Sequence, residues 1–524
     1  MWGRRSPRAL VLGAAVALFL VVCVLPSAYL LAQSLVEGAA SFTFETILLD
    51  ARQRELLVNS ALLASGTAIF ATLIGATLGV VLARVSVPYK DLVRLALAAP
   101  VTLPPYIVGL AWIYVGGSRG ILATLVGRDL LSEWTYSLPG VVIVLSVVFY
   151  PLSMLATEVA MRGIDGRLEE AALLVATPGR VLRRISLPLA LPGVLAATLV
   201  IFVLALSEFG VPGLLRVRVY PTEVFTAFAA LYDFGRATLL TLPLLAVSIV
   251  VAATAGVLVG DRLVATRRGT GVPAFSLDEW RHAALASIIA VITVSLVLPL
   301  TVLAREALSA RSFLDAMAGS GEAIVNSLIL AAAGATAVVA LAVWIGYARA
   351  RSRWGRWADV LLIVLFAMPS TVVGVGLIGL WNRAGPLGEL YGTDLMILLA
   401  YMARLVPVAA LALAAGVRLV PVSQEEAAAV SGAGWCRMLW HIVFPQMTLA
   451  LGAAWIVAFI LAFGELGTTI IVAPPGEATL PIRIYTMIAN APSSQVAGLA
   501  LLQAGVVFAP LVLLGLASSL TGRR

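Results

Sequence analysis

The sequence predicts an all-α polytopic membrane protein with about twelve transmembrane helices in two six-helix repeats. Three observations carry this. The 524 residues are 61% hydrophobic and 12% charged, with a mean hydropathy of +1.03, far from the make-up of a soluble domain. Apolar stretches near the length that crosses a bilayer, about 20 residues, recur between short polar ones. The two halves also carry the same landmarks in the same order.

The first six stretches lie near 10–33, 57–83, 92–115, 138–160, 191–215 and 239–260. The second six lie near 283–304, 324–348, 358–381, 394–416, 446–472 and 496–518. Backbone groups left unpaired in hydrocarbon are costly, so spans of this length are expected to be helical. Pro104, Pro105 and Pro369 fall within the third and ninth spans, each followed by a Gly, and predict kinks or breaks there. Broken backbone at membrane depth survives when buried in protein or facing a cavity, so these segments are candidates for a pathway lining as well as for simple packing kinks. Gly75 and Gly79 form a Gly-x-x-x-Gly pair, a weak sign of a helix contact face in a chain with 45 glycines.

The repeat is read from matched residues. Val58-Asn59-Ser60 opens the second span and Val325-Asn326-Ser327 the eighth, with each Asn placed as a helix N-cap. Pro104 and Gly109 match Pro369 and Gly374, Glu170 matches Glu426, Pro188 matches Pro445 and Glu208 matches Glu465. The expected organisation is a first unit over 1–265, a cytoplasmic linker over 266–281 and a second unit over 282–524, of the same orientation.

Of the 35 Lys and Arg, 23 fall in segments on one side of the spans, 11 on the other, and Arg404 lies inside a span. The positive-inside rule then puts both termini and the loops about 161–190 and 417–446 in the cytoplasm. The opening MWGRRSPRALVLGAAVALFLVV could be a secretory signal; without a clean small-residue cleavage site it is read as the first span. The arginines are scattered, not striped with aromatics, which argues against nucleic acid. Two Cys and two His cannot assemble a metal cluster, so no metal site is expected.

The two polar loops stand out. Residues 169–189 read EEAALLVATPGRVLRRISLPL and 425–446 read EEAAAVSGAGWCRMLWHIVFPQ. In the first, Asp165 can cap a helix and Thr177-Pro178-Gly179 supplies a turn. In the second, Ser423 and Glu426 have capping-box spacing, and Gly432 breaks the helix. Such a helical pair can be gripped in a partner's groove; the alternative is a helix lying on anionic lipid, favoured by Arg180, Arg183 and Arg184.

The spacing Glu-Ala-Ala, three residues, Gly or its replacement, then about a dozen residues to Pro resembles the cytoplasmic coupling loop of ATP-binding-cassette importer permeases. Nearly the whole chain resembles a fused, duplicated permease of the binding-protein-dependent importer family, of the type I kind. Its organisation is nearest to the ferric-iron and thiamine permeases. The resemblance implies that Glu170, Ala171 and Ala172, with Ala176 in the place of the family's Gly, and Glu426, Ala427, Ala428 and Gly432 dock onto two copies of a cytoplasmic ATPase. It also implies an extracytoplasmic substrate-binding protein, a bacterial inner-membrane location, and ferric iron as substrate, with thiamine, a polyamine or a phosphonate as alternatives. The first loop departs from the pattern at Ala176 and is one residue shorter to its Pro, so its docking is expected to differ. The single lysine, Lys90, lies outside any phosphate-binding loop; the chain is expected to be no enzyme and to hold no cofactor, ATP being bound by the partner.

Ionisable groups inside spans are functional candidates by default. Glu208, Glu465 and Arg404 are candidates to flank the pathway together with Pro104 and Pro369; the alternative is structural pairing, for example Arg404 with Glu465. An ion-coupled secondary transporter, also built from repeats with buried acids, is the competing class, but would need no coupling loop.

Overall fold

The computed structural model describes residues 7–37, 50–118, 120–122, 128–231, 233–260, 276–308, 310–352, 355–383, 385, 388–476 and 479–521. Among them there is no strand; nine helices are long and apolar enough to cross a membrane, or twelve when three bent pairs each count as one span. All twelve coincide with apolar stretches of the sequence. Of the expected linker 266–281, only 276–281 lie among the described residues.

In chain order the helices that form the spans, their breaks and the polar loops are α1 Pro7–Gln33, α2 Ala51–Arg84, α3 Lys90–Thr102, α4 Pro105–Gly116 and α5 Leu138–Arg162. Next come α6 Gly166–Leu173, α7 Pro178–Ser207, α8 Gly210–Leu214, α9 Gly235–Thr254 and α10 Asp278–Glu306. The second repeat, which opens with α10, continues with α11 Gly321–Arg351, α12 Ala358–Phe366, α13 Ser370–Trp381 and α14 Leu395–Leu419. The chain continues through α15 Val422–Val430, α16 Trp435–Gln446 and α17 Thr448–Phe463, then α18 Thr469–Val472 and α19 Ser493–Pro510.

Contacts sort the chain into two compact units. One comprises Phe44–Thr226, Ala246–Gly319 and Ile484–Arg524, and so gathers α2 to α8 with α10 and α19. The other comprises Met1–Thr43, Ala227–Leu245 and Ser320–Arg483, and so gathers α1 with α11 to α18. The first span of the chain thus packs among helices of the second repeat: α1 approaches α13 so closely that a Cβ on Gly376 would lie 2.7 Å from Pro26 O.

The breaks fall where the prolines put them. The pair α3–α4 bends by 93° and α12–α13 by 97°. Leu103 and Pro104 are extended, with ψ of 132° and 131°, as is Pro369 at 141°; a residue before proline is held out of the helical region and the ring supplies no N–H. The short helices that follow are buried, with Val108, Ala111, Thr371 and Val375 all fully inaccessible. Elsewhere proline is absorbed without a break. Wide turns over Leu20–Val24, Leu182–Ser186, Thr293–Val297 and Leu439–Val443 each end two residues before a proline, at Pro26, Pro188, Pro299 and Pro445. In each, the residue before the proline donates to the carbonyl five positions back, making room for the ring.

The VNS motifs act differently from their expected capping role. Helix α2 starts earlier, capped by Asp50, whose carboxylate accepts from Arg52 N at 3.0 Å, so Asn59 lies mid-helix; Asn326 likewise lies inside α11. The serine is the residue that links elements. Ser60 Oγ accepts from Tyr220 N at 2.7 Å and Ser327 Oγ from Leu480 N at 2.6 Å, so each hydroxyl caps the first residue of a later helix in its own unit.

Glycine sets the main helix crossing of each unit. A Cβ on Gly75 would lie 2.3 Å from Tyr150 O, and one on Gly79 2.6 Å from Met154 O, so α2 and α5 meet backbone to backbone. Gly346 does the same in the other unit, 2.9 Å from Ala410 O and 3.0 Å from Ala414 N. Changing Gly79 to Ala is expected to cost about 1–3 kcal/mol of overpacking and lower the apparent melting temperature of the detergent-purified chain by several degrees. Gly452→Ala, whose Cβ meets nothing within 4 Å, should leave it unchanged; equal melting of both variants would refute the crossing.

Candidate functional site

Both polar loops form the expected helical pair. Asp165 caps α6, its carboxylate accepting from Arg167 N at 3.1 Å. In the second loop the capping box does not form: α15 begins at Val422 with Pro421 as its cap and no side-chain bond, so Ser423 sits two positions too far into the helix. Proline's preset φ starts the turn there instead. Gly432 closes α15 at φ +81°, a conformation that favours glycine. The first loop turns at Ala176 without positive φ, so the two turns differ in kind.

Each loop is anchored by the glutamate preceding the one singled out in the sequence. Glu169 is 1% exposed, and its carboxylate accepts from the Arg84 guanidinium and from Ser186 Oγ at 2.7 Å. That ties α6 to the last residue of α2 and to the start of α7. Glu425 accepts from Arg351 Nε at 2.8 Å, Arg351 Nη2 at 2.6 Å and Tyr347 Oη at 3.0 Å. Arg351 also donates to Val420 O at 2.9 Å, and Trp435 Nε1 to Tyr347 Oη at 3.4 Å. Arg84 and Arg351 are the last residues of α2 and α11, where a cation also suits the helix dipole. The pair is thus made twice, at equivalent places. The signal in the sequence was an arginine ending the second span of each repeat, matched to the first residue of each Glu-Glu-Ala-Ala run.

With these glutamates turned inward, Glu170, Ala171, Glu426 and Ala427 are exposed, Ala172 and Ala176 are half-buried and Ala428 is buried. Beyond them project bare apolar side chains: Leu174 is 85% exposed, Val175 84% and Val430 89%. Small residues backed by a rigid ion pair and tipped with exposed apolar groups make a protruding contact surface. The repeats part company next. Helix α7 runs unbroken from Pro178 to Ser207, whereas α16 and α17 bend by 73° at Met447, whose N–H is shared between Val443 O at 3.2 Å and Phe444 O at 3.0 Å.

The acids within the spans sit at chain breaks. Glu208 Oε1 accepts from Gly210 N at 2.9 Å and Val211 N at 3.3 Å, capping α8. Glu465 accepts from Thr468 N and Thr469 N, both at 2.8 Å, capping α18. The structure brings Arg404 to Glu465 at 3.8 Å, and Arg404 Nη1 also donates to Met368 O at 3.2 Å. Thr468 Oγ1 donates to Ser370 O at 3.2 Å, so Pro369, Arg404 and Glu465 belong to one network. Pro104 precedes α4, whose Gly109 faces Val211 of α8; Gly374 of α13 faces Ile471 of α18 in the same manner. Among the described residues no three His, Cys, Asp or Glu side chains gather as a metal site.

The chain resembles known transport proteins over most of its length. Over 461 residues it is 23% identical to the putative ferric transport system permease protein FbpB 1 of Haemophilus influenzae, covering 82% of this chain and 71% of that one. It is 24% identical to the ferric transport system permease protein FbpB of Actinobacillus pleuropneumoniae, covering 78% of this chain and 63% of the relative. Over 159 residues it is 33% identical to the molybdenum transport system permease protein ModB of Escherichia coli, covering 28% of this chain and 66% of that protein. The family of binding-protein-dependent transport system inner membrane components matches twice, at 75–253 and 338–520, each match spanning one coupling loop and the capped acid that follows it. The chain therefore belongs to that family, as an inner membrane transport permease carrying the family domain in duplicate.

Proposed function

We propose that this chain forms the translocation pathway of an ATP-driven importer and takes up ferric iron handed to it by an extracytoplasmic binding protein. The observation that carries the coupling is the doubled Arg–Glu anchor behind two exposed, apolar-tipped loops. Each loop seats on one of two copies of a cytoplasmic ATPase, with both termini on the same side. The iron assignment rests on what the two relatives aligned over most of the chain are called. Relatives named for molybdenum and for 2-aminoethylphosphonate align over shorter stretches.

Closure of the ATPase pair moves both loops together, and the ion pairs pass that motion to α2 and α11. ATP shifts the membrane conformation only by as much as it favours one state over the other. The broken segments at Pro104 and Pro369 line the pathway. Glu208 and Glu465 hold the chain where it leaves α7 and α17, and Arg404 braces the break at Pro369, which is the role their hydrogen bonds favour.

Deleting the gene is expected to abolish uptake of radiolabelled ferric iron and leave molybdate and phosphonate uptake unchanged; loss of either of the latter instead overturns the substrate. Gly432→Arg should strip the ATPase from the purified complex at least several-fold more than Ala176→Arg, since a side chain at positive φ adds about 1–2 kcal/mol of strain. Equal retention would count against unequal docking. Glu425→Leu leaves Arg351 without its charge partner, at a cost of about 3–5 kcal/mol. In that variant transport should fall at least tenfold while residual ATP hydrolysis no longer responds to the binding protein. The double change Arg351→Met with Glu425→Leu should recover stability but not coupling. Full transport by the double variant would show that the ion pair transmits nothing.

A further inference from the structure

Beside the first coupling loop lies a groove of about 960 Å³, walled by the end of α2, the start of α7 and the start of α10. Its floor is apolar, with Ala76, Val80, Val81 and Leu187, and its mouth carries Arg180, Arg183 and Arg184. No Asp or Glu lines it. The three arginines are exposed and make no ion pair among the described residues. Of the acids nearby, Glu169 is engaged by Arg84 and Ser186, and Asp278 by Ser86 N at 2.8 Å, Ser86 Oγ at 2.7 Å and Ser276 Oγ at 3.1 Å. The Ser86–Asp278 bonds, with Leu277 N donating to Arg84 O at 2.8 Å, also fix the α10 wall against the end of α2. Trp280, 64% exposed at the rim, is the residue type found at headgroup level.

We infer that this groove is a binding site for one anionic phospholipid, its phosphate held by Arg180, Arg183 and Arg184 and an acyl chain laid along the α2–α7 floor. The three walls are the ends of membrane-spanning helices, all at the end of the bundle that carries the loop, so a lipid headgroup reaches the arginines without leaving its leaflet. Guanidinium groups suit phosphate oxygens, and the apolar floor gives a purpose to a lipid that a soluble phosphate would leave bare. The feature belongs to one repeat. At the positions equivalent to Arg180, Arg183 and Arg184 the second loop has Arg437, Trp440 and His441, and the His441 ring contacts Arg437 O at 2.9 Å. A lipid there would brace the unbroken helix α7 where the second repeat uses the bend at Met447.

Native mass spectrometry of the full chain, purified in detergent and offered equal phosphatidylglycerol and phosphatidylcholine, tests this. Phosphatidylglycerol is expected to be retained preferentially. The triple change R180Q/R183Q/R184Q should weaken its retention on the order of fivefold per arginine. The triple change to Lys should keep most of it, and R437Q should change nothing. Equal retention of the two lipids, or unchanged retention in the Gln triple, overturns the site. If the Gln triple loses the co-purifying ATPase while its lipid adducts persist, the arginines serve the protein partner and the proposal falls.

Discussion

In hydrocarbon there is no water to take up a free N–H or C=O, and nearly every unusual side chain in this structure answers that constraint. Where the spans run unbroken the helix satisfies itself. Where α3–α4 and α12–α13 bend by 93° and 97°, and where the chain leaves α7 and α17, orphan groups appear and are met from within the same unit. Glu208 and Glu465 cap the helices that restart after the latter two breaks, and Arg404 takes Met368 O beside Pro369. A carboxylate serves well as a cap because it accepts several N–H groups at once.

The same logic shapes the coupling loops. A short helix outside the bilayer has little packing to position it, so its orientation depends on the few bonds tying it to the spans. Burying an Arg–Glu pair adds little net stability, but the pair defines a single arrangement, because misplacing either partner strands a charge. Arg84 with Glu169 and Arg351 with Glu425 impose that condition at the ends of α2 and α11. Those two helices also carry the close glycine crossings with α5 and α14. Each ion pair therefore ties its loop to a helix that meets its neighbour backbone to backbone.

How much of this the sequence revealed depends on the range of each interaction. Features set by a residue and its immediate neighbours were legible: the breaks at Pro104 and Pro369, the Asp165 cap, the need for glycine at 432. The Arg404–Glu465 contact was legible because few charged residues in the spans compete for partners. Features decided by tertiary geometry were not. Asn59 looked like a cap because the apolar run starts there, but Asp50 begins the helix earlier and Ser60 reaches Tyr220 far along the chain. The neighbouring glutamates 169 and 170 are indistinguishable by type; only the helix phase, with Arg84 on one side, turns Glu169 inward and Glu170 out.

The departures from symmetry between the repeats follow a common line. One loop has Gly432 at positive φ, an extra residue before its proline and a bent α16–α17; the other has Ala176, the shorter segment and a continuous α7. The shared N–H of Met447 marks the place where the second repeat's chain turns. Both loops take up their proline in the same wide turn, but in the first repeat the loop helix and the span continue as one rod. A rod transmits axial displacement and rotation together, whereas a bend can rotate while its ends stay fixed. Two loops built on the same kind of ion pair thus meet their spans through different joints, a rod in one repeat and a bend in the other.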